Sequence, residues 1–306
     1  MRIIFMGTPA FAVPTLLKLI DSGFTIPAVI TAPDKLGGRG KKEWLISAVK
    51  EAALSLNIPV LQPANLKSEI FLNSIKELKP DLFIVVAFRM LPEVLWSLPL
   101  LGTINLHASL LPDYRGAAPI NWAIINGETT TGVTTFFIRK DIDTGPVILS
   151  KSIDILPEDN AGSLHDHLML LGANLVIDSL KIILDSSFVA IPQGKGSIKM
   201  APKLQHETGR IDLSKTTSEV INLIRGLSPF PGAWLPSKLG EIKILAAHVE
   251  ESRLDFKDKS YLSDNKTYIY LSTGDHYISL DKIQIPGKKS IDVKSYLNGN
   301  KADNWF

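Results

Sequence analysis

The chain has 306 residues, of which 45% are hydrophobic and 21% are charged, and its formal net charge is +2 at pH 7. This length fits two domains, and the balanced composition indicates a folded protein that is neither a polycation nor a low-complexity chain. The sequence has no cysteine, which excludes disulfides, thiolate catalysis and cysteine-ligated zinc or iron–sulfur sites.

The first half of the chain alternates strand-like and helix-like segments. In chain order, the predicted elements are strand "RIIFMG", helix "FAVPTLLKLIDSG", strand "IPAVITAPD", a Gly/Lys-rich loop, helix "ISAVKEAALSLN", strand "DLFIVVAF" and strand "GTINLHAS". Strands that are apolar on both faces and separated by helices indicate a parallel sheet covered on two sides. The next runs, "TGVTTFFI" and "GPVILSKSIDI", alternate more strongly and predict an antiparallel pair at the edge.

Residues 161–184 are predicted to form a long helix, after which the composition of the sequence changes. Residues 191–206, "IPQGKGSIKMAPKLQH", are rich in Gly, Pro and Lys and predict a linker. Beyond them lie a helix, "TTSEVINLIRGL", and several short strands that predict a small barrel. We therefore predict a first domain over residues 1–190, a linker over 191–206 and a second domain over 207–306.

Neither a targeting segment nor a membrane span is predicted. The N-terminus "MRIIFMGTPAF" lacks the regions of a signal peptide, and no stretch reaches about 18 uninterrupted apolar residues. We expect a cytoplasmic protein that functions without a membrane, and we expect a monomer. With so low a net charge, any nucleic-acid partner has to be held by local basic clusters, such as residues 35–42 and 191–206.

Two polar side chains at the end of an apolar strand mark a candidate site. In "INLHASLLPDYRG", residues 104–116, Asn105 and His107 are two apart and project from the same face of the strand. Ligand crevices of open α/β sheets lie beyond the carboxyl ends of the strands, where the turn "KDIDTGP" would bring Asp143. A carboxylate can orient an imidazole and an amide can hold an oxyanion, so the set suits proton handling while an external nucleophile attacks a carbonyl.

The spacing of these residues alone also allows non-catalytic interpretations. A lone histidine at a strand end is more often structural than catalytic, and turns of this composition are common. His165 and His167 are two apart on a helix and do not face each other, so we predict no metal site there. The turn "GTPAF" lacks the GxGxxG pattern of a dinucleotide site.

The motifs around these residues identify a family. The stretches "MRIIFMGTPAFAVPTL", "PDKLGGRGKK", "LGTINLHASLLPDYRGAAPINWAIINGE", "DTGPV", "APKLQHETGRIDLSK" and "IRGLSPFPGAW" resemble, in this order, the folate-dependent formyltransferases. The full length resembles the branch of that family which formylates methionyl-initiator tRNA. The resemblance implies an α/β, Rossmann-like catalytic domain with a largely parallel sheet, followed by a C-terminal OB-like β-barrel that binds tRNA.

The resemblance also implies roles for individual residues. The formyl donor would be 10-formyltetrahydrofolate, with no metal; Asn105 would hold the formyl oxygen, His107 would stabilise its charge, and Asp143 would orient His107 and relay protons. The folate would lie against residues of two loops: Phe88, Arg89, Met90, Leu91, Ser109, Leu110, Leu111 and Pro112. Arg89 stands where the family often has glycine. Contacts to tRNA would come from Lys35, Arg39, Lys41, Lys42, Lys195, Lys199 and Lys203.

Four alternatives compete with this interpretation. Glycinamide ribonucleotide formyltransferases end near the first domain, which argues against them here. Sugar-nucleotide formyltransferases and formyl-folate hydrolases share the fold, and distinguishing them depends on the basic loop at 35–42 and on the expected absence of a further domain. A tRNA-binding module without activity predicts decay of Asn105, His107 and Asp143, which are all present.

Overall fold

The computed structural model describes residues 1–37, 43–185, 188–194, 198–251 and 260–305. Its elements up to the long helix are β1 Ile3–Gly7, α1 Val13–Asp21, β2 Val29–Ile30, β3 Lys35–Gly37, β4 Glu43–Leu45, α2 Ala48–Ser55, β5 Val60–Leu61, α3 Glu69–Glu77, β6 Leu82–Val86, α4 Glu93–Trp96, β7 Thr103–His107, β8 Arg115–Gly116, α5 Pro119–Ile125, β9 Thr130–Phe137, β10 Val147–Asp154 and α6 Ala161–Ile183. The elements after it are β11 Met200–Ala201, α7 Thr217–Leu227, β12 Ala233–Ser237, β13 Gly240–Glu250, β14 Tyr261–Ser263, β15 Ile269–Ser272, β16 Tyr277–Gln284, β17 Ile291–Asp292 and α8 Val293–Leu297.

Contacts divide the chain into two compact units. The first contains residues 1–116, 131–153 and 165–200, and the second contains 117–130, 154–164 and 201–306. The predicted division at 191–206 follows the chain instead of the contacts, so it stays a prediction about independently folding parts.

The first unit is built on a seven-stranded sheet in the order β10-β9-β7-β6-β1-β2-β5. The pairs β1–β2, β1–β6, β2–β5 and β6–β7 are parallel, and β9 joins β7 antiparallel. Every residue of β1 and β6 is buried, as expected for strands covered on both faces. Because β6 and β7 are parallel neighbours, the loops that follow them begin at the same edge of the sheet.

The second unit contains a six-stranded antiparallel sheet. Its strands run in the order β12-β13-β16-β15-β14, with β17 paired to β16. Helix α7 contributes Val220, Ile224 and Leu227 to its core, at helical spacing, and Trp305 is 1% exposed. The predicted fold class, a Rossmann-like α/β domain with a largely parallel sheet plus an OB-like antiparallel domain, is confirmed.

No helix among the described residues is long and apolar enough to cross a membrane. The described residues also contain no group of three or more His, Cys, Asp or Glu side chains arranged to hold a metal ion.

Candidate active site

Strand β7 presents Asn105 and His107 on the face opposite α6. Leu106, between them, points to α6, because a Cβ on Gly172 would lie 2.6 Å from the Leu106 side chain. Alternate residues of a strand face opposite sides of the sheet. Asn105 is half-buried and His107 is 6% exposed, so the pair lies under a cover other than α6.

That cover is the loop after β7, which folds back over the same face. Thr134 of β9 lies opposite His107 in register, and its hydroxyl donates to the Ser109 carbonyl over 2.7 Å. The Leu111 N–H donates to the same hydroxyl oxygen over 3.2 Å. The side chain of Thr134 therefore fixes the start of the loop beside His107.

The imidazole of His107 is oriented by the backbone. Its Nε2 lies 2.8 Å from the Tyr114 carbonyl oxygen, which can only accept, so Nε2 carries the hydrogen. Nδ1 is then the nitrogen that can exchange a proton, and it faces Asp143 Oδ2 at 3.8 Å, beyond direct hydrogen-bond distance. The resemblance gives Asp143 the orienting role; the direct hydrogen bond to the ring is made by Tyr114.

Asp143 is held in an unusual backbone conformation. Its φ is +54°, a left-handed value that Asp adopts more readily than most residues. Its Oδ2 accepts from the Gly116 N–H over 2.9 Å. Gly145, in the same turn, cannot carry a side chain, because a Cβ there would lie 1.6 Å from the Phe137 carbonyl oxygen.

Gln193 holds this turn, a role that no pattern in the sequence predicts. Its Nε2 donates to the carbonyl oxygens of Asp143 over 2.9 Å and of Gly145 over 2.7 Å. Its Oε1 accepts from Arg115 Nε over 3.1 Å and from Nη2 over 2.5 Å. One side chain from the predicted linker thus joins the Asp143 turn to the loop that follows β7.

The residues predicted to bind folate follow β6 and β7. Met90 is 74% exposed and Phe88 is half-buried, whereas Leu91 is 8% exposed and belongs to the core of the first unit. Ser109 is fully buried, and its hydroxyl donates to the Asp113 carbonyl over 2.6 Å. Partly exposed side chains follow Ser109: Leu110, Leu111 and Pro112. The two loops lie at one sheet edge, but Leu91 and Ser109 support them from inside.

Arg89 has a definite place in the structure. Its guanidinium donates to the carbonyl oxygens of Pro63 and Ala64, the latter over 3.1 Å. It therefore ties the loop after β6 to the loop after β5.

The cationic residues predicted to contact tRNA fall into two groups. Arg39, Lys41, Lys42 and Lys195 lie outside the described residues. The other three are exposed: Lys35 in β3, Lys199, and Lys203. The ammonium of Lys199 lies 5.9 Å from the centre of the Tyr114 ring, next to the carbonyl that orients His107.

Two family models match the chain. The model described as "Formyl transferase" covers residues 1–180, and "Formyl transferase, C-terminal domain" covers residues 203–301. The chain belongs to the formyl transferase family. Within this family it is 52% identical over 304 residues to a methionyl-tRNA formyltransferase of Flavobacterium johnsoniae, a match that covers 98% of this chain and 96% of that protein. The family and branch predicted from the motifs are confirmed.

Solved structures show the same fold at low identity. An N-formyltransferase from Helicobacter canadensis, in complex with folinic acid and dTDP-3-aminofucose, is 23% identical with a TM-score of 0.70, covering 91% of this chain and 98% of that one. HypX from Aquifex aeolicus, in complex with tetrahydrofolic acid, is 19% identical with a TM-score of 0.66. The match covers 98% of this chain and 47% of HypX, so the chain spans about half the length of that protein.

Proposed function

We propose that the protein transfers the formyl group of 10-formyltetrahydrofolate to the free amine of methionyl-initiator tRNA, for translation initiation. The observation that carries the proposal is the grouping of His107, Asp143 and Asn105 at one sheet edge, in a chain with a 52% identical relative of that name. The protein works in the cytoplasm as a monomer.

The reaction joins an amine to a formyl carbon. The amine nitrogen attacks that carbon, a C–N bond forms, and the formyl oxygen becomes an oxyanion. The bond from the carbon to N10 of the folate then breaks. The amine loses one proton and N10 gains one, so the products are the formylated aminoacyl-tRNA and tetrahydrofolate.

The site residues divide this work. The Asn105 carboxamide donates to the developing oxyanion, an interaction worth about 10²–10³-fold in rate in other enzymes. His107, fixed by Tyr114 through Nε2, exchanges a proton through Nδ1. The Asp143 carboxylate, 3.8 Å from Nδ1, stabilises the cationic ring and takes the amine proton through water.

The folate is bound in the crevice at the carboxyl ends of β6 and β7. Phe88, Met90 and residues 110–112 contact it, while Leu91 and Ser109 hold the two loops in shape. Arg89 acts indirectly, because its guanidinium is engaged by the backbone at 63–64. The tRNA phosphates are contacted by Lys35, Arg39, Lys41, Lys42, Lys195, Lys199 and Lys203.

An acceptor comparison tests the proposal. The protein is incubated with 10-formyltetrahydrofolate and, separately, methionyl-initiator tRNA, methionyl-elongator tRNA, glycinamide ribonucleotide or an amino-sugar nucleotide. We expect formylation of the initiator tRNA at the highest kcat/KM. Formylation of a small amine instead, or release of formate without an acceptor, would overturn the proposal.

Matched variants test the roles of the site residues. Asp143→Asn keeps a residue type that tolerates the left-handed backbone but removes the charge, and His107→Ala removes the ring. Each should lower the single-turnover rate about 10²–10⁴-fold. A second pair, the half-buried His165 and the exposed Asp166, joined over 2.9 Å, supplies controls. His165→Ala and Asp166→Asn should keep the wild-type rate, and equal losses in both pairs would contradict the assignment.

A further inference from the structure

The second unit contains an open pocket of about 450 Å³, within the usual size range of small-ligand sites. Its walls include Lys203, His206, Phe230, Trp234, Glu241 and Lys243, and we call it the aromatic pocket. Lys203 and His206 come from the motif "APKLQHETG", Phe230 and Trp234 come from "SPFPGAW", and Glu241 and Lys243 come from β13. Apart from the tRNA contact proposed for Lys203, the proposed chemistry gives these residues no task. The question is which ligand this set of side chains fits.

The floor of the aromatic pocket is formed by two stacked rings and a backbone hydrogen bond. Trp234 is 7% exposed, and its Nε1 donates to the His206 carbonyl over 3.1 Å. The His206 ring stacks on the indole, with centres 4.9 Å apart and planes 28° apart. Behind them, Gly232 has a φ of +88°, and a Cβ there would lie 3.0 Å from the Lys243 side chain.

Two aromatic rings are exposed on this floor. The Phe230 side chain is 80% exposed, and the His206 side chain is 61% exposed. Both side chains therefore present aromatic surface to the solvent. Planar ligands such as nucleic-acid bases stack on exposed aromatic side chains of this kind.

The charges around the rings favour an anion. Lys203 is exposed, Arg210 lies 5.9 Å from the Trp234 ring centre, and the Lys243 ammonium lies 5.9 Å from the Phe230 ring centre. The two nearby carboxylates are engaged by one imidazole, with Glu241 3.0 Å from His206 Nε2 and Glu207 3.4 Å from Nδ1. The hydrogen bonds that His206 donates to the carboxylates of Glu241 and Glu207 raise the pKa of His206, which favours its cationic form.

We propose that the aromatic pocket binds an unpaired nucleotide of the tRNA substrate, with the base stacked on Phe230 or His206 and the phosphate held by Lys203 and Lys243. A nucleotide combines a planar base, on which aromatic side chains stack, with a negatively charged phosphate, which lysines bind. The exposure of both rings favours a nucleotide within an RNA strand over a free one, because small-ligand sites bury most of their ligand. The identification of this nucleotide as part of tRNA rests on the proposed function.

The test separates stacking from simple hydrophobic packing. Phe230→Leu keeps an apolar side chain but removes the ring, and Phe230→Trp restores a ring. Affinity for uncharged initiator tRNA is measured by filter binding, and KM and kcat by formylation. We expect Phe230→Leu to raise both Kd and KM about tenfold, the scale of one lost base stack, with a far smaller change in kcat. Phe230→Trp should restore wild-type values.

Control measurements distinguish a failure of the pocket proposal from a failure of the proposed function. Leu239→Ala removes another exposed apolar side chain of the same unit, 42% exposed, and should leave Kd unchanged. An unchanged Kd and KM in a folded Phe230→Leu protein would overturn the proposal. Competition by millimolar AMP or UMP, lost in Phe230→Leu while tRNA binding persists, would overturn tRNA as the ligand. Because filter binding needs no formyl transfer, the pocket is tested even if the proposed reaction fails.

Discussion

At the scale of single residues, Gln193 offers the sharpest test of how the site is held. Its amide donates to the carbonyls of Asp143 and Gly145, so a carboxylate in its place would repel both. Gln193→Glu and Gln193→Ala should lower kcat about 10- to 100-fold, because a small misplacement of a reacting group has effects of this size. KM for both substrates should change far less. Steady-state measurements of kcat and KM for the two variants test this prediction.

A matched control exists for Gln193. Gln284 also donates from Nε2 to a backbone carbonyl, that of Lys288, in an exposed hairpin of the second unit. Gln284→Ala should keep wild-type kcat. If Gln193→Ala keeps it as well, the Asp143 turn does not depend on this clamp.

Some site residues could be predicted from sequence and others could not. Asn105 and His107 stand out because they are polar side chains on one face of the apolar strand β7. Asp143 is expected beside them from its polar turn, but β9 runs antiparallel to β7, with Phe137 opposite Ile104, so strand direction alone does not bring the turn after β9 to His107. Tyr114 orients His107 through a backbone carbonyl, which any residue possesses, so no side-chain pattern marks it. Gln193 lies in a segment whose Gly and Pro content predicts a linker, and its partners are 50 and 48 residues away in sequence.

At the scale of elements, the start of α7 should contribute measurably to stability. Thr216 and Glu219 form a capping box, in which Thr216 Oγ1 accepts from the Glu219 N–H and Glu219 Oε2 accepts from the Thr216 N–H. The helix places Val220, Ile224 and Leu227 in the core of the second unit. Thr216→Ala should lower the free energy of unfolding by about 1 kcal/mol, measured by urea denaturation.

Ser218 provides the control for the helix cap. It lies in the same first turn and is exposed, so Ser218→Ala should change the free energy of unfolding by less than about 0.5 kcal/mol. Equal destabilisation by both variants would contradict a capping origin, because Ala has the higher helix propensity and propensity alone would not destabilise the helix.

Elements with a strong pattern were predicted, and short ones were not. Strands β1 and β6 are apolar runs of five buried residues, and α7 has clear helical spacing. Helix α5, "PINWAII", is a seven-residue apolar run in which periodicity cannot separate helix from strand. The predicted strand "IPAVITAPD" forms only Val29–Ile30, because Pro and Asp surround its apolar centre.

At the scale of the whole molecule, the order of the predicted elements indicated both sheets. It did not indicate which segments of the chain pack together in each compact unit. Residues 117–130 and 154–164 belong with 201–306 through contacts distant in sequence. Asn121 Nδ2 donates to the Gly226 carbonyl over 2.7 Å, and Arg225 Nη1 donates to the carbonyls of Leu156, Pro157 and Asp159. Such pairings depend on tertiary geometry, and neither partner's local sequence encodes them.

Acid should destabilise the protein through carboxylates with lowered pKa values. Hydrogen bonds from the Thr217 N–H and hydroxyl, each 2.7 Å, lower the pKa of Asp275, and those from Ser214 lower that of Asp212. A group with a lowered folded pKa stabilises the fold above its unfolded pKa, near 4, and loses this contribution as the pH falls through the folded value. Asp275→Asn should therefore be less stable than wild type at pH 7, with the difference shrinking below about pH 4 in urea titrations. A difference that is independent of pH would contradict this origin.

Because the net charge is only +2, tRNA affinity has to depend on individual lysines instead of the overall field of the molecule. Each phosphate contact releases counterions, so removing one should reduce the slope of log Kd against log salt concentration by about one. We expect this for Lys203→Ala, with the affinity for 10-formyltetrahydrofolate unchanged, and the same for Arg39→Ala. Lys76→Ala removes an exposed lysine of α3 and should leave the slope unchanged. Filter binding at four salt concentrations measures the slopes. A slope that falls equally in Lys76→Ala would show that binding follows total charge, and the assignment of Lys203 to a phosphate would then be wrong.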